Sequence, residues 1–277
     1  MDLLQAAVLG AVQGVTEFLP ISSTAHLKIV PALLHWQEPA AASSAVIQLG
    51  TVASVLIYFA KDLWQITVGF FKSLRAGADK NTLEARLGRG IILGTIPIVI
   101  VGIALKPFIV GDFRSMSVIA ATQIVMALVL YAADKFTPKT RTIESITVKD
   151  CLIVGLAQCL AVVPGASRSG STMTGGFLTG LNREAATRFA FLLSVPATAL
   201  AGLAQLKDIF DKVPVKAGEV QLNTAELAVA TIIAMLVGYG SIAWLIKLLR
   251  TQDTLVFVIY RILLGIILFV LIAQGYF

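Results

Sequence analysis

Six runs of apolar residues, at about 43–60, 91–109, 117–133, 186–206, 225–246 and 255–274, carry little charge and approach the ~20 residues a helix needs to cross a bilayer. Two further apolar regions, about 3–36 and 151–181, are broken midway by short polar stretches, Glu17 to His26 and Pro164 to Thr172. The arms on either side of each break are too short to cross alone. The pattern therefore predicts two re-entrant helical hairpins, a form tolerated only where the broken backbone is buried in protein or lines a watery cavity.

Each half of the chain then reads as one broken hairpin followed by three full spans. Three crossings is an odd number, so the second half is expected to insert upside down relative to the first. The predicted fold is an all-α integral membrane protein of two inverted repeats, each a re-entrant hairpin plus three transmembrane helices. It forms one polytopic domain over 1–277, with repeat one at about 1–134 and repeat two at about 150–277. Faint echoes agree: Gly10 and Gln13 recur as Gly155 and Gln158, and Pro20 and Ser22-Ser23 recur as Pro164 and Ser167. In such folds sites form at the repeat interface, from discontinuous helices near the midplane.

Composition sharpens this reading. Of 277 residues 57% are hydrophobic and 14% charged, against roughly 25% charged in an average soluble domain. The net charge of +6 resides in short loops between spans, without a basic stripe interleaved with stacking aromatics, so no nucleic acid partner is indicated. Loops 61–90, 134–150 and 247–253 hold twelve Lys and Arg, whereas the alternating loops hold five: Lys106, Arg114, Lys207, Lys212 and Lys216. By the positive-inside rule the first set is cytoplasmic. Both termini then face outward, the first hairpin dips in from outside, the second from the cytoplasm, and their tips can meet. Met1-Asp2-Leu3-Leu4 lacks the basic start of a signal peptide, so the first arm is expected to stay in the mature protein. Cys151 and Cys159 have no Cys or His companions and read as small buried hydrophobes.

Polar groups at membrane depth point to function by default. Gly10, Gln13 and Glu17 share one helix stripe, with Gly10 allowing close approach of a neighbour. A carboxylate at this depth needs a cation, and the candidates are a divalent metal or Arg168. Pro20 ends the first arm, and Ser22 or Ser23 can cap a helix starting near Thr24, which is the commonest job for such serines. A capped helix start is also an anion site, and His26 on its first turn is a candidate nucleophile or general acid/base. His35 beside Trp36 reads as interfacial. In the second stretch Gly165 and Gly170 allow sharp turns, and Arg168 offers a planar fork suited to phosphate. Ser167, Ser169, Ser171 and Thr172 surround it with hydroxyls, and Ser171 or Thr172 can begin another helix. The lysine of a GxxxxGK[ST] loop is missing, so no nucleotide site is indicated.

These residues resemble the undecaprenyl pyrophosphate phosphatase family, also called bacitracin-resistance proteins. The first family motif corresponds to Gln13-Gly14-Val15-Thr16-Glu17 and Pro20-Ile21-Ser22-Ser23-Thr24-Ala25-His26, and the second to Pro164 through Thr172; Tyr260-Arg261 in the last span also agrees. The resemblance implies a phosphatase that removes the terminal phosphate of a C55 polyprenyl diphosphate, recycling a carrier lipid for envelope polymers in the bacterial inner membrane, with a cavity open to the outer side. It implies Glu17 as the essential acid and Ser23 and His26 as candidates for nucleophile or acid/base. Arg168 with Ser167 and Thr172 would bind phosphate; Gln13, Ser22, Thr24, Ser169, Gly170 and Ser171 complete the expected substrate site. Mg²⁺ or Ca²⁺ bridged to Glu17 is the implied cofactor. The family often has Glu at the place of Gln13 and Gly at that of Ala25. Expected partners are the lipid diphosphate and the bilayer, with a homodimer left open. The competing class is an inverted-repeat lipid-phosphate flippase or anion transporter; Glu17 beside His26 and Ser23 favours hydrolysis.

Overall fold

Asp2 starts the first helix by a reciprocal cap: its carboxylate accepts from Gln5 N at 2.7 Å, and the Gln5 side chain accepts from Asp2 N at 3.2 Å. Helix α1 (Leu3–Phe18) runs to the break at Pro20, and α2 (Ser23–Leu33) turns back from it. At 1.5 Å per residue these arms measure about 24 and 16 Å, short of a hydrocarbon core of ~30 Å. The computed structural model describes residues 1–105, 108–109, 112–211, 214–215 and 218–276. Among the loop cations counted above, Lys106, Lys212 and Lys216 lie outside these described residues.

After α2 come α3 (Ala41–Tyr58), α4 (Ala60–Ser73), α5 (Leu83–Ala104) and α6 (Met116–Phe136). A second broken pair follows, α7 (Val148–Gln158) and α8 (Arg168–Leu178), then α9 (Arg183–Phe210), α10 (Thr224–Leu249) and α11 (Leu255–Ala273). Six of these, α3, α5, α6, α9, α10 and α11, are long and apolar enough to cross a membrane. The protein is an all-α multi-pass membrane protein, and the six helices overlie the six predicted runs.

Two stretches differ from expectation. Helix α5 starts at Leu83 rather than near 91, because Thr82 caps it and the charges that broke the apolar pattern find acceptors: Arg86 donates to the carbonyls of Asn81 and Glu144. Segment 61–90, expected as a loop, also contains α4. That helix is amphipathic and shorter than a span, exposing Trp64 and Phe71 while packing on α5 through Gly69, where an added Cβ would lie 2.4 Å from Glu84 Cβ.

The two short arms that open each half share a packing device. Arm α1 lies on α10, where a Cβ on Gly10 would come within 2.3 Å of Ala230 O; α7 lies on α5, where a Cβ on Gly155 would come within 2.3 Å of Gly94 O. Glycine is required at both contacts by backbone proximity alone. Gly10→Ala is therefore expected to lower stability by about 1–3 kcal/mol, read as a reduced thermal midpoint of the purified protein in detergent. A remote exposed change such as Leu203→Ala, on a side chain already facing the surroundings, serves as the neutral reference.

Ion pairs join the helix ends in two separate groups. One group contains Arg188–Asp62 and Arg250–Glu184, both at 2.6 Å, Arg183–Asp134 at 2.8 Å and Arg141–Asp150 at 2.6 Å. Hydrogen bonding to Asp150 holds the Arg141 pKa above its ordinary value. The other contains Lys28–Glu38 at 3.2 Å, Arg114–Glu219 at 3.4 Å and the Met1 amino group with Glu226 at 3.7 Å. It also holds the parallel two-residue pair β1 (Glu38–Pro39) and β2 (Glu219–Val220). The ends of α1 and α2 remote from their break belong to the second group, those of α7 and α8 to the first.

Candidate active site

The breaks in the two short pairs meet. Glu17, at the end of α1, forms an ion pair through Oε1 with the guanidinium of Arg168, the first residue of α8. Its Oε2 accepts from Ser23 Oγ and from Gln13 Nε2, each at 2.6 Å. The helix spacing explains the second contact, since Gln13 lies one turn before Glu17. The other amino group of the Arg168 fork donates to Thr198 Oγ1 on α9. A small cavity, lined among others by Glu17, Arg168, Ser169, Phe191 and Ser194, adjoins the pair.

The local backbone is shaped the same way at both tips. Ser22 and Ser167 are the N-caps of α2 and α8, accepting from Ala25 N at 3.4 Å and Gly170 N at 3.2 Å, and both have positive φ, 74° and 69°. Helix α8 thus begins at Arg168, not at Ser171 or Thr172. The register follows from Ser167, whose side chain is the cap. Gly165 supplies the expected turn with φ 93°, whereas Gly170 is helical, and its small size matters for proximity: a Cβ there would lie 3.2 Å from Arg261 Nη1 and 3.4 Å from Pro20 Cβ.

The other expected site residues occupy distinct settings. Ser169 Oγ donates to Leu19 O at 2.9 Å and lies 3.1 Å from Ser167 Oγ, tying the second tip to the first. Thr172 Oγ1 is turned back onto the carbonyls of Arg168 and Ser169 at 2.8 and 3.1 Å. Ser171 is fully buried, its hydroxyl meeting no partner among the described residues, and Thr24 is exposed on the first turn of α2. His26 stands outside the Glu17 cluster. Its Nδ1–H donates to Ser22 O at 2.7 Å, which leaves Nε2 facing the Tyr260 hydroxyl at 2.6 Å. A carbonyl can only accept, so the proton on Nδ1 is fixed by geometry.

Four participants were not singled out as site residues by sequence reasoning: Thr198, Gln123, Tyr260 and Arg261. Arg261 is completely buried in α11, donating to Gln123 Oε1 at 2.8 Å and to the carbonyls of Pro20, Gly165 and Ala166 at 3.2, 2.8 and 3.1 Å. Its signal was present in the sequence as the one arginine inside the most apolar span. Thr198 and Gln123 carried no such signal, because a single hydroxyl or amide in a span is common.

A divalent cation can be tested against this donor set. Among the described residues no group of three or more His, Cys, Asp or Glu side chains gathers. Mg²⁺ is commonly held by one or two carboxylates with substrate phosphates and water. Gln13 Oε1, buried with no hydrogen-bond partner among the described residues, is a hard oxygen beside the Glu17 carboxylate. Glu17 and Gln13 therefore fit a cation that arrives with a polyphosphate, though not a dedicated protein cage.

Comparison with known proteins agrees with this arrangement. Residues 6–267 match the family model described as bacitracin resistance protein BacA. A protein of Myxococcus xanthus named undecaprenyl-diphosphatase is 50% identical over 275 residues, which span 99% of this chain and 91% of that protein. Proteins of the same name from Nocardioides sp. and Chlorobium phaeobacteroides are 48% and 50% identical, spanning 99% and 100% of this chain and 98% and 99% of their own lengths. The chain belongs to the bacitracin resistance protein BacA family.

Proposed function

We propose that this protein is a membrane phosphatase that hydrolyses undecaprenyl diphosphate to the monophosphate and inorganic phosphate, returning the carrier lipid to envelope synthesis. The observation that carries the reading is the cluster at the meeting of the two breaks: a carboxylate, a hydroxyl in hydrogen-bond contact with it, and an arginine fork, at the starts of two capped helices.

Phosphoryl transfer depends mostly on positioning and charge neutralisation. Arg168 and the first turns of α2 and α8 bind the terminal phosphate, while the apolar flanks hold the prenyl tail. Ser23 Oγ lies within proton-transfer reach of Glu17. In the mechanism we favour, Ser23 attacks the terminal phosphorus and its proton passes to Glu17. The phosphoanhydride bond breaks, and Glu17 hands that proton to the departing undecaprenyl phosphate. Water then attacks the phosphoserine, losing a proton to the freed Glu17 carboxylate; the serine–phosphorus bond breaks, inorganic phosphate is released, and Glu17 returns the proton to Ser23. His26, held by Ser22 O and Tyr260, is the alternative nucleophile, and direct attack by water uses the same binding groups. A Mg²⁺ or Ca²⁺ ion held by Glu17 and Gln13 would neutralise phosphate charge when bound.

The inverted-repeat plan belongs to the same proposal. Reciprocal packing supports it, since α1 lies on α10 as α7 lies on α5, α3 faces α9, and α6 faces α11. So does the assignment of the two hairpins to different ion-pair groups, with the basic loops marking the cytoplasmic side of a bacterial inner membrane and the site reached from the outer side. A homodimer is compatible with these exposed apolar faces.

Purified protein in detergent is expected to release inorganic phosphate from undecaprenyl diphosphate, and to lose that activity on chelation and regain it with Mg²⁺ or Ca²⁺. Absence of release under all cation conditions, combined with lipid diphosphate movement across vesicles, would assign the chain to the flippase class instead. Full activity after exhaustive chelation would remove the cation from the scheme.

A further inference from the structure

Arg261 is a buried guanidinium whose partners are an amide oxygen and three carbonyls, with no carboxylate in ion-pair contact among the described residues. Burying a charge without a counter-charge is expensive. Across the meeting point Arg168 and Arg261 contribute two positive charges against the single negative charge of Glu17. The balance favours an anion.

The acceptors of Arg261 are not scattered. Pro20 belongs to the first tip, Gly165 and Ala166 to the second, and Gln123, itself bonded to Arg261, donates its amide to Ile21 O at 2.8 Å. The side-chain pair thus gathers four carbonyls from the turns that immediately precede Ser22 and Ser167. No peptide bond here is cis, and in a planar trans peptide the C=O and the following N–H point in opposite directions. With Ile21 O held by Gln123 and Ala166 O held by Arg261, the N–H groups of Ser22 and Ser167 are turned away from these anchors. Neither N–H meets an acceptor among the described residues. Both lie at the helix starts that bring Ser23 and Arg168 to Glu17. The positive φ of Ser22 and Ser167 is the backbone signature of these rotated peptides.

We propose that Arg261, with Gln123, is a positioning residue for phosphoryl transfer. By clamping the carbonyls of both tips it presents the Ser22 and Ser167 N–H groups to the equatorial oxygens of the transferring phosphoryl group, and its charge adds to the field that binds them. It does not touch the substrate. The inference rests on the phosphatase reading and adds to it the residue that builds the oxyanion site.

The test uses the full chain in detergent and reads three quantities: kcat and KM for undecaprenyl diphosphate, and the inhibition constant of orthovanadate, which mimics the pentacoordinate phosphoryl group. Gln123→Glu gives Arg261 a carboxylate partner, cancelling its charge and removing the donor to Ile21 O while retaining a polar contact in the core. It is expected to lower kcat about 100-fold, the size of effect seen when one oxyanion donor is lost. Vanadate inhibition should weaken in parallel, KM should change little, and the thermal midpoint should fall only slightly. Arg261→Lys should move the same quantities in the same direction. If it does not fold, Gln123→Glu and the milder Gln123→Ala carry the test.

Leu130→Ala, fully buried on the same helix as Gln123 and two turns away, is the comparison. It should lower the thermal midpoint yet leave kcat per folded molecule and the vanadate constant unchanged. Folded Gln123→Glu and Gln123→Ala proteins with unaltered kcat and vanadate inhibition would overturn the proposal. A native protein that binds vanadate but releases no phosphate would instead overturn the phosphatase reading. If it neither binds vanadate nor releases phosphate, both fall.

Discussion

Glu17→Gln is expected to abolish phosphate release, by about a thousandfold or more if Glu17 accepts the proton of Ser23, and to weaken the fold at the same time. The amide keeps the shape of the carboxylate and can still accept from Ser23. It cannot take a proton, and it leaves Arg168 without its charge partner in a site where Glu17 is 9% exposed. Removing one member of a buried pair costs about 3–5 kcal/mol, so the thermal midpoint should drop as activity disappears. Activity per folded molecule is the decisive quantity. Gln13→Glu is expected to behave differently: it replaces a 2.6 Å donor to Glu17 with a second carboxylate. Such a pair needs a shared proton or a cation, so this variant should retain activity but depend more steeply on divalent cation. Activity independent of cation in Gln13→Glu would count against a metal at this position.

Arg168→Lys should lose about 100-fold in kcat with a smaller effect on stability. An ammonium can remain paired with Glu17, so the buried charge stays compensated. What it lacks is the planar fork that holds Glu17 on one amino group and Thr198 on the other and that can grip two phosphate oxygens together. Thr198→Val separates the roles further, since it removes one of the two contacts that fix the fork while preserving side-chain volume. It should raise KM or lower kcat less than Arg168→Lys does. Near-normal turnover by well-folded Arg168→Lys would mean that Arg168 serves only as counter-ion to Glu17.

The crossing helices were legible in the sequence because a bilayer demands a long apolar run, and among the described residues no other helix has that signature. Helix α4 was not: fourteen residues alternating Trp64, Phe70 and Phe71 with Lys61, Asp62 and Lys72 read as a charged loop, and only its packing on α5 gives it a place. The Glu17–Arg168 encounter could be anticipated, since a carboxylate and a guanidinium at membrane depth each need a partner. The particular bonds could not. Ser23 and Ser22 are neighbours of the same type, and which one caps α2 and which one reaches Glu17 depends on the φ of a single residue. Likewise His26 read as a companion of Glu17, yet its ring is captured by Tyr260, 234 positions away, a contact that local spacing does not encode. Arg261 entered the sequence reading only through the family resemblance and without a role, because its acceptors are mostly main-chain carbonyls and every residue has one.

The positive φ at Ser22 and Ser167 has a consequence for how this protein responds to selection for robustness. L-residues in that region cost of order 1–3 kcal/mol each, and glycine would adopt the same backbone with little penalty. Substituting glycine at both tips should thus yield a chain more resistant to heat, at the expense of two hydroxyl caps that set the start of α2 and α8. Durability and turnover are then opposed at these two positions, and directed evolution toward thermal tolerance should find Ser22→Gly and Ser167→Gly among its easiest gains and its slowest enzymes.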